Sequence, residues 1–148
     1  MSFIKAKEYL KKFNLEDRIM KFDVSSATVK EASIALGWSE GEIAKTLSFI
    51  VNDKSILIVN AGDSKIDNSK YKKEFSTKAK LIAFDDVERL IGHSVGGVCP
   101  FGINDNVSVY LDESLKQFEI IYPACGSSDS AVKLTVNDLE TTSNDRCL

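Results

Sequence analysis

A histidine, two cysteines and a lysine stand where glycine or turn residues gather in this chain. His93 is the one imidazole, and its ordinary pKa lets it trade protons near neutrality. A lone histidine with no obvious nucleophile beside it can equally serve to satisfy a backbone group. Cys99 follows in the same segment, and Cys125 falls in a second one. A thiol attacks only as a thiolate, which needs an adjacent base or a cationic field. Cys99 is therefore either a nucleophile served by His93 or a small residue lining a pocket. Lys45 sits between a turn and a strand-like run. An ammonium on a long stem suits gripping a phosphate or a carbonyl oxygen, although by type alone it is one lysine among many.

Residues 91–103, Ile-Gly-His-Ser-Val-Gly-Gly-Val-Cys-Pro-Phe-Gly-Ile, hold four of the eight glycines and one of the two prolines. Glycine serves where φ is positive or where a ligand lies against bare backbone. The amides of residues 95–101 could thus converge on an anion. The ordinary alternative is a helix stopped by Gly92 and a turn at Gly96-Gly97. The segment Val98-Cys99-Pro100-Phe101 suggests a small, mostly apolar pocket. Further on, Gly126-Ser127-Ser128 offers hydroxyls to a bound amino group or ribose, or is merely a turn between strands.

The elements that must hold these groups read as follows. Phe3, Ala6, Leu10 and Phe13 recur at helical spacing behind Ser2, so the chain opens with an amphipathic helix. Residues 19–22 form a short strand. Thr28 and Glu31 fit a capping box for a helix that stops at Gly37, and Ser39 with Glu42 fits a second one opening a very short helix through Ile43 and Ala44. Runs 46–51 and 55–60 are strands joined by a hairpin at Asn52-Asp53-Lys54. The unbroken apolar stretch Ile56-Leu57-Ile58-Val59 implies a strand covered on both faces. A helix over 67–75, a strand over 81–84 and a helix from 85 to Gly92 lead into the glycine-rich loop. Strands over 107–111, 118–122 and 131–134 follow, then a helical turn at 135–139 and a frayed polar tail from Thr141.

Apolar residues make up 43% of the chain and charged residues 28%, the proportions of a water-soluble globular domain. At 148 residues it is long enough to bury a core as one domain, 1–148. No apolar run has the length of a bilayer span, and the early charges at Lys5, Lys7 and Glu8 do not fit a signal peptide. Three scattered cysteines without a Cys-x-x-Cys indicate neither a disulfide framework nor a zinc site, which suits a reducing cytoplasm. The net charge of −3 does not advertise a nucleic-acid binder. Its distribution does more: residues 1–80 carry a balance of +4 and residues 81–148 one of −7. Lys65, Lys70, Lys72, Lys73, Lys78 and Lys80 crowd one stretch that could meet a phosphate backbone locally, or could be a solvated helix face.

Gly96-Gly97-Val98-Cys99-Pro100-Phe101-Gly102 resembles the Gly-Gly-x-x-Pro-x-Gly loop of the YbaK/prolyl-tRNA synthetase-associated editing domains. Ala44-Lys45-Thr46-Leu47 and Cys125-Gly126-Ser127-Ser128 stand where that family has its other two motifs, so the resemblance runs over roughly 23–139. It implies a mixed α/β fold, a twisted, barrel-like mixed sheet with helices packed outside. It implies a freestanding deacylase that hydrolyses mischarged aminoacyl-tRNA, with tRNA for proline carrying a small wrong amino acid as the expected substrate. Lys45 is then the characteristic catalytic-site lysine, and the backbone of Gly96, Gly97, Val98 and Cys99 the oxyanion cradle. Thr28, Thr46, His93, Pro100, Phe101, Gly102, Gly126, Ser127 and Ser128 become substrate-binding positions, and Lys65, Lys70, Lys72 and Lys73 the tRNA contacts. The family commonly has other small residues in place of Cys99. Some members carry an acidic residue where this chain has Ala131, with Asp129 displaced. Aminoacyl-tRNA is the implied partner, a prolyl-tRNA synthetase a further one; no membrane, metal or cofactor is expected, and the oligomeric state stays open. The alternatives are a non-catalytic module binding tRNA or a synthetase, and a cysteine-dependent hydrolase of small thioesters.

Overall fold

The computed structural model describes residues 2–22, 33–34, 37–143 and 146–147, with 143, 146 and 147 described through their backbone. Helix α1 (Ser2–Lys11) turns Ala6 and Leu10 inward and leaves Lys5, Lys7 and Lys11 to solvent. Strand β1 (Ile19–Lys21) follows. The helix expected from Thr28 lies almost wholly outside the described residues. Ser39 and Glu42 do exchange the reciprocal bonds of a capping box, Glu42 N–H to Ser39 Oγ at 3.4 Å and Ser39 N–H to Glu42 Oε1 at 3.2 Å. They close a turn rather than start a helix, because the chain enters β2 (Ala44–Val51) at once.

Strand β3 (Lys54–Ala61) returns from β2 through Asn52 and Asp53, both at positive φ (50° and 66°). Two such residues match the right-handed twist of the flanking strands. From Ser55 to Ala61 every residue of β3 is buried, as the unbroken apolar run requires. Helix α2 (Asn68–Phe75) is capped by Asp67, whose carboxylate accepts from Ser69 and Lys70 N–H. The strand expected over 81–84 is a single bridge between Leu81 and Phe49, followed by a tight turn at Phe84–Asp86. Leu81 is exposed beside this edge and Phe84 more so, which leaves too little apolar contact to extend the pairing. Helix α3 (Val87–Ile91) leads into the glycine-rich loop, and β4 (Ser108–Leu111) emerges from it.

The remaining strands are short: β5 (Ile120–Ile121), β6 (Ser130–Val132) and β7 (Leu134–Thr135). Helix α4 (Val136–Ser143) runs beyond the expected single turn, and β8 (Arg146–Cys147) pairs with β4, so the tail from Thr141 is not simply frayed. Thr142 is buried, with its hydroxyl on the Asp138 carbonyl at 2.9 Å.

Among the described residues the strands form three sheets. The largest has the order β2-β3-β4-β8, antiparallel between β2 and β3 and parallel from β3 onward; β1 pairs with β6 and β5 with β7, both antiparallel. Single backbone bonds join them, Tyr122 N–H to Glu42 O and Val132 N–H to Pro123 O, while Lys133 N–H to Arg18 O extends the β1–β6 ladder by one rung. Among the described residues the strands do not close into the expected barrel. One buried cluster runs from α1 through Leu57, Val59, Phe101 and Leu111 to Leu139. A smaller one, Phe49, Ile56, Ile58 and Tyr71, lies between the hairpin and α2. Burying a side chain such as Leu57 contributes about 1.5–3 kcal/mol.

Candidate functional site

The glycine-rich loop is tied at its neck. Gly92 ends α3 with its N–H on the Glu88 carbonyl at 2.9 Å. Asn104 closes the other end: its N–H binds Ile91 O at 2.9 Å, and its side-chain amide binds Arg89 O and Leu90 O at 3.1 and 3.0 Å. The last carbonyls of a helix lack intrahelical partners, and here one asparagine supplies them. The Lys5 ammonium adds a bond to Gly92 O at 3.2 Å.

Inside the loop His93 is fully buried, and Nε2–H donates to the Phe101 carbonyl at 2.6 Å. Nε2 therefore carries the proton, and Nδ1 is buried without a partner among the described residues. Burial pulls the imidazole pKa down, the Phe101 bond opposes this, and the Lys5 charge adds to the lowering. Direct contact between His93 and a substrate does not fit this burial; the ring pins one side of the loop to the other. Phe101 is likewise fully buried, against Tyr9 in α1.

Cys99 is fully buried too, with Sγ 3.6 Å from His93 Nε2. That nitrogen is already spent as a donor to Phe101, so it is no base for the thiol. Burial pushes the Cys99 thiol far up, against the lowering effect of backbone groups at Phe101 and Gly126. Burial pushes Cys125 up to about 12, with the Lys7 charge opposing. Neither sulfur has the field a nucleophilic thiolate needs.

The outer turn of the loop is different. Ser94 and Val95 are exposed, Gly96 and Val98 half-buried. Gly97 N–H closes the turn on Ser94 O at 3.1 Å, whereas the amides of Gly96 and Val98 have no backbone acceptor among the described residues. Gly97 itself is pressed against the second motif: a Cβ there would lie 2.5 Å from Gly126 C and Ser127 N. The two segments meet backbone to backbone.

In the second motif Ser127 Oγ lies 2.7 Å from both Asp129 Oδ1 and Ser130 Oγ. The Ser127 hydroxyl holds the Asp129 carboxyl below its usual range, slight burial opposes this, and Lys21 at 3.8 Å helps. Ser128 is half-buried. The displacement of Asp129 in sequence thus still leaves a carboxylate bonded to this motif, a role the residue order alone did not reveal.

Lys45 lies near the start of β2, half-buried, with its ammonium donating to the Ser64 carbonyl. Burial lowers its pKa; Asp63 opposes and Lys65 adds to the lowering. No hydrogen bond joins it to the glycine-rich loop among the described residues. Its cross-strand partner is Asn60, fully buried, whose Nδ2 approaches the same Ser64 oxygen at 3.4 Å. Thr46 Oγ1 and Asn60 Oδ1 are both buried without a partner among the described residues. Asn60 was not among the expected site residues, although an amide ending an otherwise apolar run was its signal. Thr28 lies outside the described residues.

Lys65, Lys70, Lys72 and Lys73 are all exposed. Three of them, without Lys72, line a groove of about 830 Å³ between α2 and the turn at Glu113–Gln117, with Ile58, Ile66 and Tyr71 also against it. Asp67, Glu74, Asp112 and Glu113 share its walls. None of these lysines forms an ion pair among the described residues. No group of three or more metal-ligating side chains gathers among those residues either, and no helix is long and apolar enough to cross a membrane.

The profile of the aminoacyl-tRNA editing domain matches residues 24–142. The chain is similar to the uncharacterized protein YwhH of Bacillus subtilis, 45% identical over 140 residues, 94% of this chain and 89% of that one. It is also similar to a proline--tRNA ligase of Shouchella clausii, 30% identical over 70% of this chain but only 18% of the ligase. Among solved structures, a hypothetical protein superposes with TM-score 0.88 at 26% identity, covering 97% of this chain and 96% of the other. A candidate trans-editing enzyme for prolyl tRNA synthetase superposes with TM-score 0.89 at 24% identity, covering 99% and 94%. At that identity the second likeness speaks to the fold.

Proposed function

The chain belongs to the aminoacyl-tRNA editing-domain family, and from that premise we propose that it hydrolyses the ester of a mischarged aminoacyl-tRNA, with tRNA for proline carrying a small wrong amino acid as substrate. The observation that carries this reading is the outer turn of the glycine-rich loop, whose Gly96 and Val98 amides have no backbone acceptor among the described residues. An aminoacyl ester is already reactive; a site must add a positioned water, donors for the oxyanion and a pocket for the acyl group. Preformed amides suit the second task, each worth about 2.7–4 kcal/mol of barrier. Water attacks the ester carbonyl, the oxyanion collapses, and the C–O bond to the ribose breaks, releasing the amino acid and the tRNA hydroxyl. Lys45 holds the terminal phosphate or the acyl carbonyl, leaving Ser64 to do so, and contributes orientation rather than a proton. A neighbouring ribose hydroxyl takes part in activating the water. Thr46, Pro100, Gly102, Ser127 and Ser128 line the acyl end, Cys99 fills space beneath, and His93 and Phe101 keep the loop's shape.

Deacylation of tRNA for proline charged with alanine, serine or cysteine tests the reading, with Lys45→Ala as control. Hydrolysis of at least one, cut about 100-fold or more in the variant as expected of a lost orienting group, supports it. No hydrolysis of any, or an unaffected variant, overturns it.

The lysine-lined groove favours a second reading, a non-catalytic module that binds tRNA or a prolyl-tRNA synthetase. It requires salt-sensitive tRNA affinity without turnover.

A further inference from the structure

From Ser55 to Ala61 strand β3 is buried throughout, and every side chain of that run is apolar except Ser55 and Asn60. Asn60 is fully inaccessible. A buried amide is costly unless its polar atoms are bonded. Among the described residues Nδ2 has one long contact, 3.4 Å to Ser64 O, and Oδ1 has none. A leucine or valine would serve packing at this position better.

What the amide does is meet Lys45. The two residues face each other across the β2–β3 ladder, and directly opposed side chains share one face of the sheet. Both turn to the same acceptor, the Ser64 carbonyl. That carbonyl belongs to a turn closed by Ser64 N–H on Ala61 O at 3.0 Å. The turn is braced again where Ala61 N–H binds Ser114 Oγ at 3.0 Å. The charged groups acting on Lys45 are Asp63 and Lys65, of opposite sign and both exposed.

We propose that Asn60 is a positioning residue for Lys45: its neutral amide shares the Ser64 carbonyl with the ammonium and parks it at the sheet edge without an ion pair. The proposal rests on the reading of Lys45 as a substrate-holding group. Neutrality is the essential property. A carboxylate at position 60 would face the ammonium across the ladder and hold it by charge, whereas a shared carbonyl lets it go when a phosphate or ester oxygen arrives.

The experiment compares wild-type protein with Asn60→Asp and Asn60→Leu. The Lys45 amine is titrated by NMR on ¹³Cε-lysine-labelled protein, its resonance assigned with Lys45→Arg, alongside thermal unfolding and kcat and KM for misacylated tRNA. The expected result is a Lys45 midpoint raised by one unit or more in Asn60→Asp. In Asn60→Leu the expected result is kcat lowered tenfold or more, with KM within twofold and thermal stability unchanged or higher. An unmoved Lys45 titration in Asn60→Asp overturns the proposal, as does a Leu variant that keeps full kcat. If Asn60→Asp does not fold, the Leu variant's kcat against KM decides. If the wild-type protein deacylates nothing yet the Asp variant shifts the Lys45 midpoint, the deacylase reading fails and the positioning role stands.

Discussion

Gly97 and Gly126 touch through their main chains, so closely that a methyl group on Gly97 would stand 2.5 Å from the carbonyl carbon of Gly126. Gly97 is not among the residues at positive φ; glycine is required there by space alone. Replacing it with alanine must push the two segments apart, and overpacking of this kind costs about 1–3 kcal/mol. Gly37 makes the control, because it is exposed, at φ 71° and with nothing within 4 Å of a Cβ. Gly37→Ala should cost about 1 kcal/mol from the left-handed backbone only and leave deacylation intact. Gly97→Ala should lose activity well beyond its loss of stability. Denaturant unfolding beside the deacylation assay checks both, and a Gly97→Ala protein of normal activity would refute the contact's importance.

His93 gives the fold a pH dependence with a defined sign. Its pKa is lowered in the folded state, from an ordinary value of about 6.5 in the unfolded chain. Between those two values the unfolded chain binds the extra proton, so stability rises with pH there. Stability is therefore full above about pH 6.5 and declines as pH falls towards the folded-state value. Asp129 and Asp138, both lowered, add a separate loss in the acid range below the usual carboxylate pKa. His93→Gln should abolish the first decline and spare the second, measured as unfolding free energy across pH 4–8.

The thiols should be inert. Cys99 and Cys125 are free and buried, and burial keeps both protonated. In a Cys147→Ser background, iodoacetamide at pH 8 should modify neither while the protein is folded and both once it is denatured. Mass spectrometry reads the outcome, and alkylation of native Cys99 with loss of activity would instead revive a thiol mechanism.

Groove geometry ranks the lysines. Lys65, Lys70 and Lys73 line one concavity and Lys72 does not. Reversing each charge of the three should weaken tRNA binding and flatten its salt dependence by about 0.7–0.9 in slope per lost phosphate contact. Lys72→Glu should do less. Filter binding over a series of salt concentrations distinguishes them, and equal effects from all four would mean a diffuse field without a groove.

Much of this architecture is legible in residue order. The hairpin announces itself by Asn52-Asp53 between two β-rich runs, and α2 by Asp67 ahead of its first turn, because turn and cap chemistry is local. The gathering of the Gly97 and Gly126 segments is legible only through resemblance, since nothing in either segment names the other. Long-range polar ties were silent for the same reason: Asn104 looks like any loop asparagine until α3 presents its carbonyls. The strand expected at 81–84 had the right residue types but lacked a partner beyond Leu81. Residues 146–147 carry no strand signal, yet they find an open edge on β4. The expectation that His93 meets substrate came from its chemistry, whereas its burial was decided by packing.

Strands β3 and β4 run parallel, so the chain between them must travel the length of the sheet before it can pair again. That excursion, residues 62–107, contains α2, α3 and the whole glycine-rich loop. Contacts this distant in sequence form slowly. A nascent chain that has not yet delivered Ser108 holds every residue of the loop but only the β2–β3 hairpin of the largest sheet, and Gly126 comes later still. The contact between the Gly97 and Gly126 segments is thus among the final parts to assemble, and a prematurely terminated chain would carry the glycine-rich loop without it.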